Sequence, residues 1–250
     1  MRNLKLTLAY DGAEFHGWQV QPSLATVQGT LAEALQRITG ASVLPQGSGR
    51  TDAGVHALAQ VASVALESPI PAANLQKALN DVLPAAIRVL EVEEVAPDFH
   101  ARRSFRSKTY RYRIYRGPIC PPFLARYVYH HPFPLDEEAM RHAAPLVEGE
   151  HDFTSFAAVD AERGREEQET SNIRTIHSSR FERQGEELVY TVRGNGFLHH
   201  MVRNLVGTFL LIGKGSLDEA GLRRILDLKD RSAAGGTVPA SGLCLVSVEY

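Results

Sequence analysis

Ten consecutive residues, Gly47-Ser48-Gly49-Arg50-Thr51-Asp52-Ala53-Gly54-Val55-His56, bring together one carboxylate, one guanidinium, one imidazole and three glycines. A carboxylate with Arg50 and His56 as near neighbours is placed to do chemistry rather than only to solvate a surface. Glycines at this density let the backbone turn sharply or approach a ligand closely. The same residues also suit a tight strand connection in which Asp52 caps backbone N–H groups, because Asp and Gly are the usual turn residues. No Gly-Lys-Ser/Thr is present for a phosphate loop, and Asp52 stands where a dinucleotide fingerprint wants glycine. Composition alone leaves the capped turn and the active-site loop open.

A second group of residues favours a polyanionic substrate. Between Arg102 and Arg126 there are eight Lys or Arg and no Asp or Glu, with Phe105, Tyr110, Tyr112, Tyr115 and Phe123 interleaved. Cations neutralise phosphates and aromatic faces stack exposed bases. In a strand, Tyr110 and Tyr112 point one way while Arg111 and Arg113 point the other. The segment is therefore not a simple basic platform. A third group, Gly194-Asn195-Gly196-Phe197-Leu198-His199-His200-Met201-Val202-Arg203-Asn204-Leu205-Val206-Gly207, leads into a helix that is apolar nearly all round and is expected to be buried. Arg203 lies inside it. A buried guanidinium needs a carboxylate, for which Asp52 is the candidate, unless it snorkels to the surface.

Other chemistries are disfavoured. His130-His131 and His199-His200 are adjacent pairs whose side chains diverge, and no HExxH spacing occurs, so no metal is expected. Cys120 and Cys244 have no CxxC spacing and suit a reducing compartment. The net charge of −2 confines polyanion binding to local patches, and no apolar run approaches the roughly 20 residues of a membrane span. The N-terminus alternates as a strand and lacks the apolar run of a signal peptide.

The elements that must hold these residues follow from periodicity. Leu4, Leu6 and Leu8 mark a strand ending at Asp11-Gly12. Thr26 caps a helix with Val27, Leu31, Leu35 and Ile38 on one face, which Gly40 stops. A buried strand covers 59–66. Leu75, Leu79 and Leu83 mark a second helix closed by Pro84, and Ile87, Val89 and Val92 a further strand. The order is that of the split βαβ plan. Strands are expected at 107–116 and 187–193, and helices from Asp136 towards Val147 and from His199 to Gly213. A last helix has a capping box of Ser216 with Glu219 and buries Leu222, Ile225 and Leu228. The final strand is Leu243–Val248. The stretch 160–169, with five acids and two arginines, reads as an exposed, mobile loop. The domain boundary is placed near residue 104, giving domains 1–104 and 105–250.

Gly49-Arg50-Thr51-Asp52-Ala53-Gly54-Val55-His56-Ala57 resembles the signature of the tRNA pseudouridine synthase A family. Supporting matches are Tyr10-Asp11-Gly12 with Phe15, Gly17, Trp18 and Gln19; Lys108-Thr109-Tyr110-Arg111-Tyr112; His151-Asp152-Phe153-Thr154-Ser155-Phe156; the Phe197–Gly207 segment; and Gly242-Leu243-Cys244-Leu245-Val246. They run end to end and in order. Cys244 stands where an aromatic is expected between the two leucines. The resemblance implies an α+β fold of two ferredoxin-like domains whose mixed, mainly antiparallel sheets join around a central cleft. It implies a cofactor-free cytoplasmic isomerase, homodimeric, converting uridine to pseudouridine at positions 38–40 of the tRNA anticodon stem-loop. Asp52 would be the nucleophile, Tyr110 would stack on or position the base, Arg203 would pair with Asp52, and Leu243 would pack in the pocket. Arg50, His56 and Arg111 are RNA-contact candidates. A flipped base suits such chemistry, because an aromatic replaces the stacking lost when the target leaves the helix. The competing readings are a non-catalytic RNA-binding protein of split βαβ type and a metal-dependent hydrolase using Asp52 and His56.

Overall fold

A computed structural model describes residues 1–158 and 171–250. The stretch 160–169, read above as a mobile loop, lies outside the described residues. The fold is α+β, with five α-helices among the described residues and mixed β-sheet. By packing, the chain divides into two compact units: residues 1–108 with 244–250, and residues 109–243.

In the first unit β1 (Arg2–Tyr10) runs antiparallel to β3 (His56–Leu66) and to β4 (Ile87–Val95). The alternation read from sequence is real: Leu4, Leu6, Leu8 and Tyr10 are all buried. A two-residue strand, β2 (Gln46–Gly47), pairs with β3. Helix α1 (Val27–Thr39) begins where the Thr26 hydroxyl accepts the Gly29 N–H and ends at Gly40 in the left-handed conformation. Helix α2 (Ala72–Val82) buries Leu75 and Leu79 and stops before Pro84, which disfavours helical geometry in Leu83. The last strand, β10 (Leu243–Glu249), belongs with this unit over most of its length, because Cys244 and Leu245 pair in parallel with His56 and Ala57.

In the second unit β5 (Ser107–Tyr115), whose first residues belong to the first unit, leads the order β5-β9-β8-β7. Here β7 is Gly149–Asp152, β8 Ile173–Gln184 and β9 Glu187–Gly194, and the short β6 (Tyr129–His130) pairs with β5. Asp136 caps α3 (Glu137–Ala143) by accepting the Ala139 N–H. Helix α4 (Met201–Gly213) is buried on nearly every side, as its composition requires. Helix α5 (Glu219–Leu228) corrects two expectations. Its cap is Asp218, which accepts the Gly221 N–H at 2.7 Å, not Ser216. Its buried residues are Leu222, Ile225 and Leu226, whereas Leu228 is 61% exposed. Six residues after Leu222, Leu228 has rotated well off the shared face.

Candidate active site

The Asp52 loop is fixed by hydrogen bonds on both flanks of the carboxylate. On the N-terminal side the Trp18 N–H donates to the Thr51 carbonyl at 3.0 Å, and the Thr51 hydroxyl meets the Tyr10 phenol at 2.8 Å. On the C-terminal side the Gly54 N–H donates to the Phe15 carbonyl at 3.2 Å, and the Val55 N–H to the Asp52 carbonyl at 3.1 Å. Asp52 itself is half-buried. Further back, the Ser48 hydroxyl donates to Gln60 Oε1 at 2.7 Å, and Gln60 Nε2 donates to the Gly49 carbonyl at 3.0 Å. Gln60 and Tyr10 project from neighbouring strands into this mesh and are buried. Burial without a countercharge pushes the Tyr10 phenol far above its ordinary range, so it serves as a neutral hydrogen-bonding group.

The three glycines of the loop leave room for different things. Gly54 has φ of 79°, a left-handed conformation that other residues adopt only with strain. A side chain at Gly47 would enter the Trp18 ring, 2.6 Å from its Nε1. A side chain at Gly49 would collide with Lys108 Nζ, 2.5 Å away. Trp18 is nearly fully buried, so the Phe15–Gln19 segment forms a rigid wall behind the loop.

The remaining expected site residues of the first unit divide. Arg50 is half-buried, with Nε donating to Gln19 Oε1 at 3.2 Å. His56 is 6% exposed and its Nδ1 accepts the Gly12 N–H at 3.1 Å. The same nitrogen lies 3.2 Å from Asp11 Oδ1. The first contact needs the Nδ1 lone pair and the second needs a proton on it, so they are alternatives set by which ring nitrogen carries the proton.

In the second unit, Arg203 lies in the first turn of α4, half-buried, with Nε donating to the Val238 carbonyl at 2.8 Å. The neighbouring Pro239 carbonyl accepts the Tyr112 hydroxyl at 2.7 Å. Burial drives the Tyr112 phenol well above its ordinary range, and the Arg203 charge opposes that rise. The start of α4 is held by Asn204, fully buried. Its Nδ2 donates to the Phe156 carbonyl at 2.7 Å, while its Oδ1 accepts from Arg231 at 2.9 Å and Thr237 at 2.6 Å. The residue ahead of the helix, His200, has a left-handed φ of 58°.

Tyr110 is buried on β5, its ring edge-to-face with Phe197 at 5.0 Å. Arg111, on the opposite parity, is half-buried, and its Nε has no hydrogen-bond partner among the described residues. Leu243, at the start of β10, is buried. The basic stretch is less available than its composition suggests. Arg113 makes a two-pronged pair with Glu187, both contacts at 2.6 Å, and Arg116 pairs with Glu137 at 3.0 Å. The acids absent from the stretch itself are supplied by distant segments.

Lys108, Gln60 and Asn204 carry this geometry and were not singled out from the sequence. Lys108 was legible: it shares strand parity with Tyr110 and Tyr112, which marks it as buried.

The profile of the tRNA pseudouridine synthase family matches residues 7–102 and 143–250, ranges that contain Asp52 and Arg203. The chain belongs to this family. It is 54% identical to the tRNA pseudouridine synthase A of Solibacter usitatus, with the whole of both chains covered. It is 45% identical to that of Brevibacillus brevis, again over both whole chains. With that of Moorella thermoacetica it shares 46% identity over 99% of each chain. The segment between the two matched ranges, which holds Lys108, Tyr110 and Arg111, is thus covered by the full-length relatives of this synthase family.

Proposed function

We propose that the chain isomerises uridine to pseudouridine at positions 38–40 of the tRNA anticodon stem-loop, with Asp52 as its nucleophile. Membership of the family makes the protein an isomerase acting on uridine in tRNA; the positions and the residue roles are our reading. The observation that carries it is the Asp52 loop. A half-buried carboxylate sits between backbone segments tied to the Phe15–Gln19 wall on both sides, which is far more restraint than a capped turn needs.

The reaction breaks the N1–C1′ bond, turns the uracil and joins C5 to C1′. C5 gives up its proton and N1 takes one, so composition is unchanged. Asp52 acts on the target nucleoside, Arg203 supplies the countercharge that keeps the acid ionised, and Tyr110 provides an aromatic face for the flipped base. Holding Arg203 by its Nε to the Val238 carbonyl supports that role, since it orients the guanidinium fork. Leu243 offers an apolar wall. Arg50 and Arg111, both half-buried, contact the RNA backbone through their guanidinium ends. His56, turned towards Gly12, contributes through the loop it braces.

The two units are each a variation on the ferredoxin-like plan. In the first, the chain order β1-α1-β2-β3-α2-β4 with β4-β1-β3 adjacent supports this. The protein works in the cytoplasm, where its substrate is made. It works as a homodimer: Ile119, Phe123 and Phe133 expose 80%, 91% and 67% of their surface, apolar side chains that a second copy would cover. Sedimentation of wild type against Phe123→Asp checks that part. The activity is tested by tritium release from tRNA carrying C5-tritiated uridine. Release in step with pseudouridine at 38–40 is expected; binding without release would establish a non-catalytic RNA-binding protein instead.

A further inference from the structure

Lys108 is a buried basic side chain to which the proposed reaction assigns no part. It is 7% exposed. Its Nζ donates to the Ser48 carbonyl at 2.6 Å and lies 4.1 Å from the centre of the Phe105 ring. The charge acting on it is that of Arg102, which is like-signed, and no carboxylate pairs with it among the described residues. Buried lysines without an acid are rare because the ammonium loses its hydration. Something must offset that penalty, and here it is a carbonyl, a π-face and a cavity of fitting shape.

That cavity is made by a glycine. Gly49 is not in the left-handed region, so its backbone conformation is open to alanine. The absent side chain at Gly49 is instead the space that admits Lys108 Nζ. The motif therefore holds a lock and its key: Gly49 leaves the room, and Lys108 fills it and grips the carbonyl one residue before. From Ser48 the chain reaches Asp52 in four residues. The far side of the same peptide run is gripped by Gln60, through Ser48 and Gly49.

We propose that Lys108 is a positioning residue for the Asp52 carboxylate: its ammonium, seated in the space left by Gly49, holds the Ser48 carbonyl and so fixes the loop in its reactive geometry without touching the substrate. This rests on Asp52 being the nucleophile. The amine form would still donate to Ser48, but more weakly than the ammonium, since charge-assisted bonds are roughly twice as strong. Burial lowers the Lys108 pKa to about 7, so both forms are populated near neutrality. The groups facing it are the Ser48 carbonyl, the Gly49 backbone, the Phe105 ring and the Arg102 charge.

The test is single-turnover pseudouridine formation and tRNA binding by wild type, Lys108→Met, Gly49→Ala and Asp52→Asn, from pH 6 to 9. Methionine keeps the apolar stem and removes the donor. Alanine at 49 keeps the lysine and displaces it. Both should lower the chemical rate about 10- to 100-fold, as sub-ångström to ångström misplacement does, with tRNA affinity changed less than about threefold. Their effects should not add in the double variant, because they break one contact. The wild-type rate, divided by that of Lys108→Met at each pH, should fall as pH rises through 7. A folded Lys108→Met or Gly49→Ala with a wild-type rate overturns the proposal. So does loss of tRNA affinity with the rate intact, which would make Lys108 an RNA contact, or a ratio flat in pH. Should Lys108→Met fail to fold, Gly49→Ala decides. Turnover by Asp52→Asn would instead sink the reading of Asp52 itself, whatever the Lys108 variants do.

Discussion

The Asp52 loop and helix α4 hold their charged residues with different shares of hydrogen bonding and packing. The loop is positioned by hydrogen bonds to backbone atoms, from the Trp18 and Gly54 N–H groups, Gln60 and Lys108. Helix α4 adds dense packing to the Asn204 hydrogen bonds: Gly207, at its middle, lies against the Gly236 carbonyl so closely that no Cβ fits, and Met201, Leu205 and Val206 are fully buried. A hydrogen-bonded loop can shift by fractions of an ångström while the fold survives. A packed helix cannot shift without losing its core. Damage to the loop should therefore be read in rate, and damage to the helix start in stability.

The largest effect expected is on rate alone. Asp52→Asn should lower single-turnover pseudouridine formation by about 10⁴-fold or more while the urea midpoint and tRNA affinity stay near wild type. A loop that is merely a capped turn would show the reverse, a lowered midpoint with activity retained. Gly207→Ala is the counterpart at the helix. Its Cβ would stand 1.9 Å from the Gly236 carbonyl oxygen, a backbone atom that cannot rotate away. It should destabilise the fold by about 3 kcal/mol in urea unfolding. If Gly207→Ala were as stable as wild type and merely slow, the contrast between the two regions would collapse.

Asn204→Ala sharpens the contrast with a smaller change. It strips partners from the Phe156 carbonyl, Arg231 and Thr237 together. Buried groups left unsatisfied cost about 1–3 kcal/mol, so a loss of roughly 2 kcal/mol is expected. A rate loss follows only as far as Arg203, one residue before, moves with the helix. Arginine at 203 retaining its Nε contact to Val238 in that variant would be seen as a near-wild-type rate per folded molecule.

These contrasts also mark what the sequence discloses. The α+β class, the strand at Leu4–Leu8, the Thr26 cap, the burial of α4 and the family were legible, because each depends on local periodicity or on a contiguous motif. Strand β8 was not. Its buried residues are Ile176, Ser179 and Phe181, and an irregular register between Ile176 and Ser178 shifts the alternation by one, erasing the period of two. The α5 cap was misplaced because Ser216 and Asp218 both precede Glu219, and only the folded chain shows which side chain reaches the Gly221 N–H. Asp52 and Arg203 can be named from residue chemistry and Tyr110 from the resemblance, but the contacts that orient them, such as Arg203 Nε to the Val238 carbonyl, join residues far apart in sequence. The basic stretch was overread: Arg113 and Arg116 find their acids at Glu187 and Glu137, which no local pattern announces.

The smallest effect concerns stability against pH, and it is carried by Lys108. With its pKa lowered from 10.5 to about 7, Lys108 has released a proton in the folded protein that the unfolded chain still holds over the interval between those values. The unfolded state binds more protons there, so stability rises with pH from about 7 towards 10.5, and the penalty is fully present below 7. The buried phenols of Tyr10, Tyr112 and Tyr190 act in the opposite direction, but only above about pH 10, where unfolded tyrosine ionises and the folded groups stay protonated. His131, lowered by burial and the Arg116 and Lys214 charges, titrates below 6.5. In the window from pH 7.5 to 9.5 the Lys108 contribution is read as the difference between wild type and Lys108→Met. Urea unfolding there should show stability rising by up to roughly 1 kcal/mol per pH unit, and Lys108→Met should flatten the slope. A slope unchanged in Lys108→Met would place the titration elsewhere and remove the reason for the wild-type rate to respond to pH through this lysine.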